Sequence, residues 1–336
     1  MGNKLRFGIM GTARIARNSM IPGIIKSERC EVAAIASRNK EKAAEVAKQF
    51  NIQTYYGSYE ELLDDPEIDA VYIPLPNHLH KPWTIKAIKA GKHVLCEKPA
   101  ALSEVDVRQM VDAAREHKVV FAEAFMYRYH PKHARVRELI DNGEIGEIRS
   151  IHGSFTSNFA ADKGNVRYSK EMGGGSIYDV GCYPISAARM IYGQEPCAIT
   201  AYASYSAEHD NVDMMAHGLL EFDHGLGLTF ECGMWTYSKC SLEISGSEGR
   251  IELPSAFGWE RMEDQAQILI HTAKGTREER LGAHNHFALQ VDAMAAAVMD
   301  GVPLPFSPED AMYNMRVIDA CLESVRTSKR VVIGQT

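Results

Sequence analysis

The chain has 336 residues, of which 45% are hydrophobic and 24% are charged, and its formal net charge at pH 7 is −7. This length predicts two globular domains, and the negative charge argues against nucleic acid or an anionic membrane as the main partner. No apolar run approaches a spanning length, and the start runs into a strand instead of a signal-peptide core, so we expect a cytoplasmic protein. Seven cysteines without paired spacing predict reduced packing residues.

The first 125 residues alternate short apolar runs with helix-length amphipathic segments. The predicted strands are "LRFGIMG", "EVAAIAS", "AVYIPLP", "HVLCEKP" and "VVFAEAF". This alternation predicts an α/β domain with a doubly wound parallel sheet over residues 1–125. Ser103 and Asp106 predict the cap of the last helix of this region, and Gly91 ends the helix before it.

From about residue 148 the pattern changes to longer alternations of polar and apolar residues, as in "EIRSIHGSFTS", "MAHGLLEFD" and "GRIELP". Such alternation is typical of an antiparallel sheet with one solvated face. A helix follows at about 284–299, and a further helix begins at Pro308 after the cap residue Ser307. We therefore predict a second, sheet-bearing domain over residues 126–336.

The stretch "FGIMGTARIAR" has the form of a dinucleotide-binding turn. A strand ends at Met10, Gly11 permits a tight turn, and the following helix can present free amides to a pyrophosphate. Ala13 stands where the usual fingerprint has its second glycine. The predicted cofactor contacts in this turn are Gly11, Thr12, Ala13, Arg14 and Ile15.

The second strand ends in Ser37 and Arg38, where an enzyme that uses NAD would carry an acidic residue. A serine hydroxyl can donate to a 2′-phosphate, and an arginine can pair with that phosphate and stack on adenine. This pair predicts a preference for NADP over NAD; the alternative is a solvated charge after a strand.

The third predicted strand is followed by a polar cluster at the edge of the sheet where ligands lie in open parallel sheets. We predict cofactor contacts there from Pro74, Leu75, Asn77 and His80. His78 and His80 are spaced like metal ligands, but no third ligand is indicated, so we predict no metal site.

Lys98 follows the next strand at the same edge, beside Glu97, and we predict that both contact the cofactor. At this position the lysine would face the nicotinamide, where it could move a proton at the substrate oxygen while hydride moves at carbon. Pro99 raises the hypothesis of a cis peptide bond between Lys98 and Pro99.

The segment "NVRYSKEMGGGSIYDVGCYP" carries a glycine run before a helical pattern. Asp179 and Tyr183 lie four residues apart and would share one face of a continuous helix, although Pro184 warns of a kink or a late start. The functional interpretation makes both residues part of a substrate site. The structural alternative makes Asp179 a cap and Tyr183 a packing residue.

Together, "GTARIA", "CEKP" and "GGGSIYDVGCYP" resemble the glucose-fructose oxidoreductase, inositol dehydrogenase and MocA family from residue 5 to about 330. The branch most similar contains D-xylose dehydrogenase, dihydrodiol dehydrogenase and sugar 3-ketoreductases. The resemblance implies a Rossmann domain plus an open, predominantly antiparallel sheet. It also implies catalysis by Lys98, with Asp179 orienting the substrate hydroxyl and Tyr183 donating or relaying a proton, although many relatives have histidine at the last position.

Weaker candidates for substrate contacts are Tyr127, Arg128 and Arg167, which could equally have structural roles. We predict an NADP-preferring oxidoreductase, with NAD possible, that acts on an aldose, ketosugar or inositol-like polyol. The alternatives are a trans-dihydrodiol dehydrogenase or dicarbonyl reductase, and a non-catalytic protein that senses NADP. The resemblance further implies a homodimer through the open face of the second sheet.

Overall fold

A computed structural model describes residues 4–258 and 266–334. Its contacts divide the chain into two compact units. The first unit extends to Tyr129 and includes Asn285–Met312; the second contains His130–His284 and the residues from Tyr313 onward. The sequence patterns predicted a single division at residue 125, so the return of 285–312 to the first unit is a feature that those patterns did not indicate.

The first unit is built on a six-stranded sheet in which every registered pair of neighbours is parallel. The strand order is β3-β2-β1-β4-β5-β6. The strands are β1 (Leu5–Met10), β2 (Cys30–Ala36), β3 (Thr54–Tyr56), β4 (Ala70–Ile73), β5 (His93–Glu97) and β6 (Phe121–Ala124). The predicted doubly wound sheet is confirmed; the sequence missed β3, whose three residues are too few to show a periodicity.

Helices cover this sheet and explain why its central strands read as continuous apolar runs. They are α1 (Ile21–Lys26), α2 (Lys40–Phe50), α3 (Tyr59–Asp64), α4 (His80–Lys89) and α5 (Glu104–His117), joined later in the chain by α8 (His286–Met299). The predicted cap of α5 is confirmed, because the Ser103 hydroxyl accepts from the Asp106 amide at 3.2 Å. Val291 and Met294 of α8 are buried in the same core as Phe7 and Ile9 of β1, which is the physical reason for the return of this segment.

The second unit contains a nine-stranded sheet in the order β14-β13-β12-β11-β7-β10-β9-β8-β15. The strands are β7 (Ile148–Asn158), β8 (Ala198–Ser206), β9 (Val212–Glu221), β10 (Gly227–Gly233), β11 (Trp235–Gly246), β12 (Gly249–Leu253), β13 (Gln267–Thr272), β14 (Gly275–Arg280) and β15 (Val331–Val332). The pair β7 and β10 is parallel and the other pairs are antiparallel. This confirms the predominantly antiparallel sheet.

The second unit contains α6 (Pro131–Asp141) and α7 (Cys182–Tyr192). It also contains the part of α9 (Pro308–Thr327) from Tyr313 onward. A π-helical turn, Ile177–Gly181, runs directly into α7. This continuous helix lies close to the sheet because glycine stands at one of the contacts. A Cβ added to Gly153 of β7 would lie 2.6 Å from the Cβ of Pro184, so the proline early in α7 needs the bare backbone beneath it.

Several predictions from composition can be compared with the described part of the chain. All seven cysteines lie within it, none forms a disulfide, and six of them are buried. Within residues 4–258 and 266–334, no helix is both long and apolar enough to cross a membrane. The same residues contain no group of three or more acidic, histidine or cysteine side chains arranged to hold a metal ion.

Candidate active site

The glycine turn after β1 has the backbone geometry that close approach of a phosphate requires. Gly11 has a φ of +117°, which favours glycine, and its amide donates to the Ala36 carbonyl at 2.8 Å. A Cβ at this position would lie 3.2 Å from Cδ2 of Leu75. The chain then enters a π-helical turn, Ala16–Met20, that continues as α1. The bare cradle at Gly11 fits a bound dinucleotide.

The end of β2 presents the two residues predicted to select the cofactor. Ser37 is 8% exposed, and its oxygen accepts from the Asn39 amide at 3.2 Å, so its hydroxyl proton remains available for donation. Arg38 is exposed. Burial raises the pKa of Tyr59, while the charge of Arg38 and a hydrogen bond from it act in the opposite direction. The Arg38 guanidinium therefore lies near the hydroxyl of Tyr59, while Ser37 precedes Arg38 at the end of β2. A hydroxyl and a guanidinium on adjacent residues fit a 2′-phosphate.

The polar cluster after β4 divides into a half-buried part and a fully buried histidine. Pro74 is buried, whereas Leu75 and Asn77 are half-buried. His80 is 0% exposed; its Nδ1 lies 2.8 Å from the Pro99 carbonyl and its Nε2 lies 2.7 Å from the Leu75 carbonyl. Burial lowers the pKa of His80 to about 4. Because a backbone carbonyl lies within hydrogen-bond distance of each ring nitrogen, His80 links the turn after β4 to the turn that carries Lys98. Its predicted contact with the cofactor stays a prediction.

Side chains from three elements hold the turn that carries Lys98. The Lys98–Pro99 peptide bond is cis, as hypothesised. The Lys98 amide donates to Oε2 of Glu97 at 3.2 Å, and the Ala100 amide donates to Oε1 of Glu123 on β6 at 2.8 Å. With His80 on the Pro99 carbonyl, each residue of the turn has a contact that fixes it. The half-buried Lys98 is therefore presented on a rigid backbone.

Glu97 has a supporting partner that sequence reasoning missed. Tyr72 of β4 is 0% exposed and donates its hydroxyl to Oε1 of Glu97 at 2.6 Å. Both oxygens of this carboxylate thus accept hydrogen bonds from the protein, and its predicted contact with the cofactor stays a prediction. Neither Tyr72 nor Glu123 carried a signal in the sequence, because their partners, Glu97 and Ala100, are 25 and 23 residues away.

In the second unit, two of the predicted substrate residues come together. Nε of Arg167 lies 2.8 Å from Oδ2 of Asp179, and the two side chains are 40% and 14% exposed. Arg167 lies within a short 3-10 turn, Val166–Tyr168, capped by Asn165, whose side chain accepts from the Arg167 amide at 3.1 Å. Asp179 lies in the π-helical turn before α7. The pair offers a cation and an anion at one place, where both can bind hydroxyl groups of a substrate.

Tyr183 lies in the first turn of α7 with its ring in an aromatic cluster. Its side chain is 5% exposed, and the ring centroid is 5.0 Å from that of Phe155 and 5.6 Å from that of Phe257. The helix from Ile177 to Tyr192 is continuous, as the shared-face argument required, but its π-helical start changes the angle between successive side chains. Packing fixes the ring of Tyr183, which is compatible both with the structural alternative and with a positioned phenol.

Tyr127 and Arg128 show contacts that favour structural roles. Tyr127 is 0% exposed and packs edge-on against Phe125 at 5.9 Å. The guanidinium of Arg128 pairs with Asp310 and lies over the rings of Phe125 and Phe306, at 4.7 and 4.8 Å from their centroids. Its side chain is only 4% exposed. The geometry gives no support to the predicted substrate contacts of these two residues, because their polar groups lie inside the protein.

The fold and these residues define a class of protein, namely an oxidoreductase with a Rossmann domain for a nicotinamide dinucleotide and a second domain built on an open mixed sheet. Residues 5–125 match the family model described as "Oxidoreductase family, NAD-binding Rossmann fold", and residues 133–252 match the "GFO/IDH/MocA C-terminal domain". The chain belongs to the GFO/IDH/MocA family of oxidoreductases. The predicted family, fold class, enzyme class and nicotinamide cofactor are thereby confirmed.

Relatives and a solved structure of the same family cover between 76% and 97% of this chain. D-xylose 1-dehydrogenase (NADP(+)) 2 of Haloferax volcanii is 37% identical over 97% of this chain and 99% of its own. Trans-1,2-dihydrobenzene-1,2-diol dehydrogenase of Xenopus laevis is 32% identical over 76% of both chains. The crystal structure of a 3-ketoreductase from Actinomadura kijaniata with NADP and TDP-benzene is similar with a TM-score of 0.91, at 32% identity over 96% of this chain and 98% of that one. These are members of the predicted branch.

Proposed function

We propose that the protein is an NADP-preferring dehydrogenase or reductase that interconverts CH–OH and C=O in an aldose, a ketosugar or a related cyclic polyol. The observation that carries this proposal is the Arg167–Asp179 pair, 2.8 Å apart, in which Asp179 belongs to the π-helical turn that leads into the helix of Tyr183. A substrate with several hydroxyl groups needs donors and acceptors side by side, and this pair supplies both. The family similarity extends over both units and agrees with a sugar oxidoreductase.

In the proposed mechanism, Lys98 moves the proton at the reacting oxygen. Bound NADP or NADPH supplies the hydride acceptor or donor at the reacting carbon. Lys98 suits its role because Glu97, His80 and Glu123 fix the turn that carries it, so that its ammonium is presented from a defined backbone. Asp179 accepts from a substrate hydroxyl and orients it, with Arg167 neutralising part of its charge. Tyr183 donates or relays a proton in the direction of reduction.

The preference for NADP follows from the residues at the end of β2. Ser37 retains a hydroxyl proton to donate, Arg38 supplies a cation, and neither residue repels a phosphate. An acidic side chain at this place would accept from the ribose hydroxyls of NAD and would repel the 2′-phosphate of NADP. Binding of NADP is therefore expected to depend on Arg38 more than binding of NAD does.

A second candidate within the same chemistry is the reduction of a nucleotide-linked deoxy-ketosugar. The similarity to the Actinomadura kijaniata 3-ketoreductase over 96% of the chain favours it. The two candidates differ in substrate size, because a nucleotide-linked sugar needs additional contacts for its diphosphate. They can be separated by supplying free sugars and nucleotide-linked sugars in parallel.

The test of the proposed function is a turnover assay by nicotinamide absorbance. NADP and NAD are offered with aldoses, inositols and dihydrodiols, and NADPH is offered with ketosugars, nucleotide-linked ketosugars and dicarbonyls. Turnover on one sugar class that disappears in Lys98→Met, while Lys89→Met on the exposed end of α4 retains it, would support the proposal. Tight NADPH binding with no turnover on any of these compounds would contradict it and would favour a sensor of NADP.

We further propose that the protein is a cytoplasmic homodimer that covers the open face of the nine-stranded sheet. Tyr202 of β8 and Leu219 of β9 lie on the same face, and they are 69% and 43% exposed. Contiguous exposed apolar side chains on a sheet are typical of an interface with a second copy. Sedimentation tests this proposal: we expect a dimer that Tyr202→Asp converts to a monomer, and a wild-type monomer at micromolar concentration would contradict it.

A further inference from the structure

Asp213, near the start of β9, connects the nine-stranded sheet to the beginning of the helix that carries Asp179. It is 5% exposed, so its carboxylate lies inside the second unit. Its Oδ2 accepts from the hydroxyl of Ser176 at 2.8 Å and from the amide of Ile177 at 2.8 Å. The helix lacks a side-chain cap of its own, since Ser176 has helical backbone angles and its hydroxyl is used on Asp213. The hydrogen-bond acceptor for the first amide of this helix therefore comes from Asp213 on β9.

The second oxygen of this carboxylate occupies the space beside Gly175. A Cβ added to Gly175 would lie 2.1 Å from Oδ1 of Asp213, and the φ of Gly175 is +118°. Glycine is thus required here twice, once by the backbone angle and once by the carboxylate. Gly175 is the last residue of the glycine run, and its lack of a side chain leaves room for the Asp213 carboxylate.

Gly175 also joins the residues of the candidate substrate site. Its amide donates to the carbonyl of Arg167 at 3.0 Å, and its carbonyl accepts from the amide of Asp179 at 3.0 Å. The backbones of both partners of the Arg167–Asp179 pair are therefore hydrogen-bonded to the one residue against which Asp213 is packed. A shift of this residue would move the cation and the anion of the pair relative to each other.

We propose that Asp213 is a positioning residue whose carboxylate fixes the start of this helix and thereby the geometry of the Arg167–Asp179 pair during turnover. The proposal deepens the proposed function and rests on it for its catalytic readout. A carboxylate accepts stronger hydrogen bonds than a neutral acceptor, and it also interacts favourably with the positive end of a helix. Loss of its charge should loosen the helix start without removing it.

The surroundings of Asp213 make its ionisation visible in a pH profile. Burial raises the pKa of Asp213 to about 6, against the opposing hydrogen bonds from Ile177 and Ser176. Among the described residues, burial raises the pKa of Tyr205 of β8, Cys232 of β10 and Cys321 of α9, and the charge of Asp213 raises each of these pKa values further. These three stay protonated through the acid range, so Asp213 is the member of this cluster whose charge changes around pH 6.

The experiment compares kcat in the wild type, Asp213→Asn and Asp213→Leu from about pH 5 to about pH 8. Asparagine keeps the shape and one acceptor but carries no charge, whereas leucine removes both acceptors. Asp223→Asn removes an exposed carboxylate just beyond the other end of β9 and serves as the matched control. Using the ratio of wild-type to variant kcat cancels titrations that all the proteins share.

We expect the ratio of wild-type to Asp213→Asn kcat to be about tenfold at pH 8 and to approach one near pH 5, since the wild type then carries the neutral form as well. Asp213→Leu should lose about thirtyfold or more, and KM for NADPH should change less than about threefold in both variants. A ratio that does not vary with pH, a kcat equal to that of the wild type, or the same loss in Asp223→Asn would overturn the proposal.

Hydrogen exchange supplies a readout that does not require turnover. Amides from Ile177 to Tyr183, corrected for intrinsic rates, should be about tenfold less protected in Asp213→Asn than in the wild type at pH 8, and equally protected near pH 5. If the wild type turns over no sugar, the proposed function fails, and this measurement alone decides the inference. Equal protection at pH 8 would overturn it, and Asp213→Asn keeps the test available if Asp213→Leu does not fold.

Discussion

Nδ1 of His80 lies 2.8 Å from the carbonyl oxygen of Pro99, the residue directly after Lys98. The same ring reaches the carbonyl of Leu75 through Nε2 at 2.7 Å, so one buried side chain joins the turn after β4 to the turn after β5. A neutral imidazole carries one N–H and can donate to only one of these carbonyls. The ring therefore couples the position of the predicted catalytic lysine to that of the predicted cofactor loop.

The first prediction concerns this coupling. His80→Gln should lower kcat about tenfold and the free energy of unfolding by about 1–3 kcal/mol, because the flexible glutamine side chain does not hold its amide at the carbonyl to which the rigid imidazole donates. His117→Gln, at the exposed end of α5, is the matched control. Denaturant unfolding and steady-state kinetics measure the two effects. If His80→Gln kept both the kcat and the free energy of unfolding of the wild type, His80 would not be what holds the turn that carries Lys98.

A pH dependence of stability follows from the same residue. The pKa of His80 is lowered by burial to about 4 in the folded chain, below its ordinary value of 6.5. The unfolded chain therefore takes up this proton first, and the free energy of unfolding should fall as the pH drops from about 6.5 to about 4. Asp213 contributes with the opposite sign over about the same range, because its pKa is raised. The difference between wild type and His80→Gln isolates the histidine, and a difference that is constant with pH would contradict this assignment.

Replacement of Lys98 tests the proposed proton transfer. Lys98→Met keeps the length of the side chain and removes its charge, so kcat should fall about 10²–10⁴-fold while NADPH still binds. Fluorescence titration of NADPH measures binding, and Lys89→Met provides the surface control. A kcat within a few-fold of the wild type would remove Lys98 from the mechanism.

Cofactor selection is tested at Arg38. Arg38→Ala should reduce kcat/KM for NADP about 10²-fold and change kcat/KM for NAD by only a few-fold, since only NADP carries the 2′-phosphate. Lys40→Ala, at the exposed start of α2, removes a nearby positive charge that is not proposed to contact the cofactor. Equal losses with both cofactors would mean that Arg38 acts on adenine or on the fold instead of on the phosphate.

The glycine at position 175 gives a stability prediction with a matched pair. Gly175 and Gly275 have φ values of +118° and +114°, but a Cβ at Gly275 meets nothing within 4 Å. Both alanine variants carry the backbone strain, whereas only Gly175→Ala brings a methyl group against Asp213. We expect about 1 kcal/mol lost in Gly275→Ala and at least about 2 kcal/mol more in Gly175→Ala.

A double variant checks the origin of that difference. In the Asp213→Ala background the carboxylate is gone, so the additional cost of Gly175→Ala should shrink toward that of Gly275→Ala. Denaturant unfolding measures each step of the cycle. An unchanged additional cost would mean that the methyl group clashes with something other than Asp213.

Local sequence patterns were sufficient wherever a feature depends on neighbours along the chain. Apolar runs located five of the six parallel strands, Ser103 marked the start of α5, and Gly11 marked the turn after β1. These features arise from backbone geometry and from side-chain periodicity, which a sequence displays directly. The order of motifs along the chain also identified the family, which the matches over 5–125 and 133–252 confirm.

The tertiary structure decided the features whose partners are far apart in sequence. Asp213 meets Ser176 across 37 residues, and the return of α8 to the first unit depends on Val291 reaching the core around Phe7. Nothing in the local pattern around His80 indicated that its Nδ1 lies 2.8 Å from the Pro99 carbonyl, 19 residues away. Periodicity records which face of an element is buried, but the identity of the group opposite a buried polar atom is set by how the chain folds back on itself.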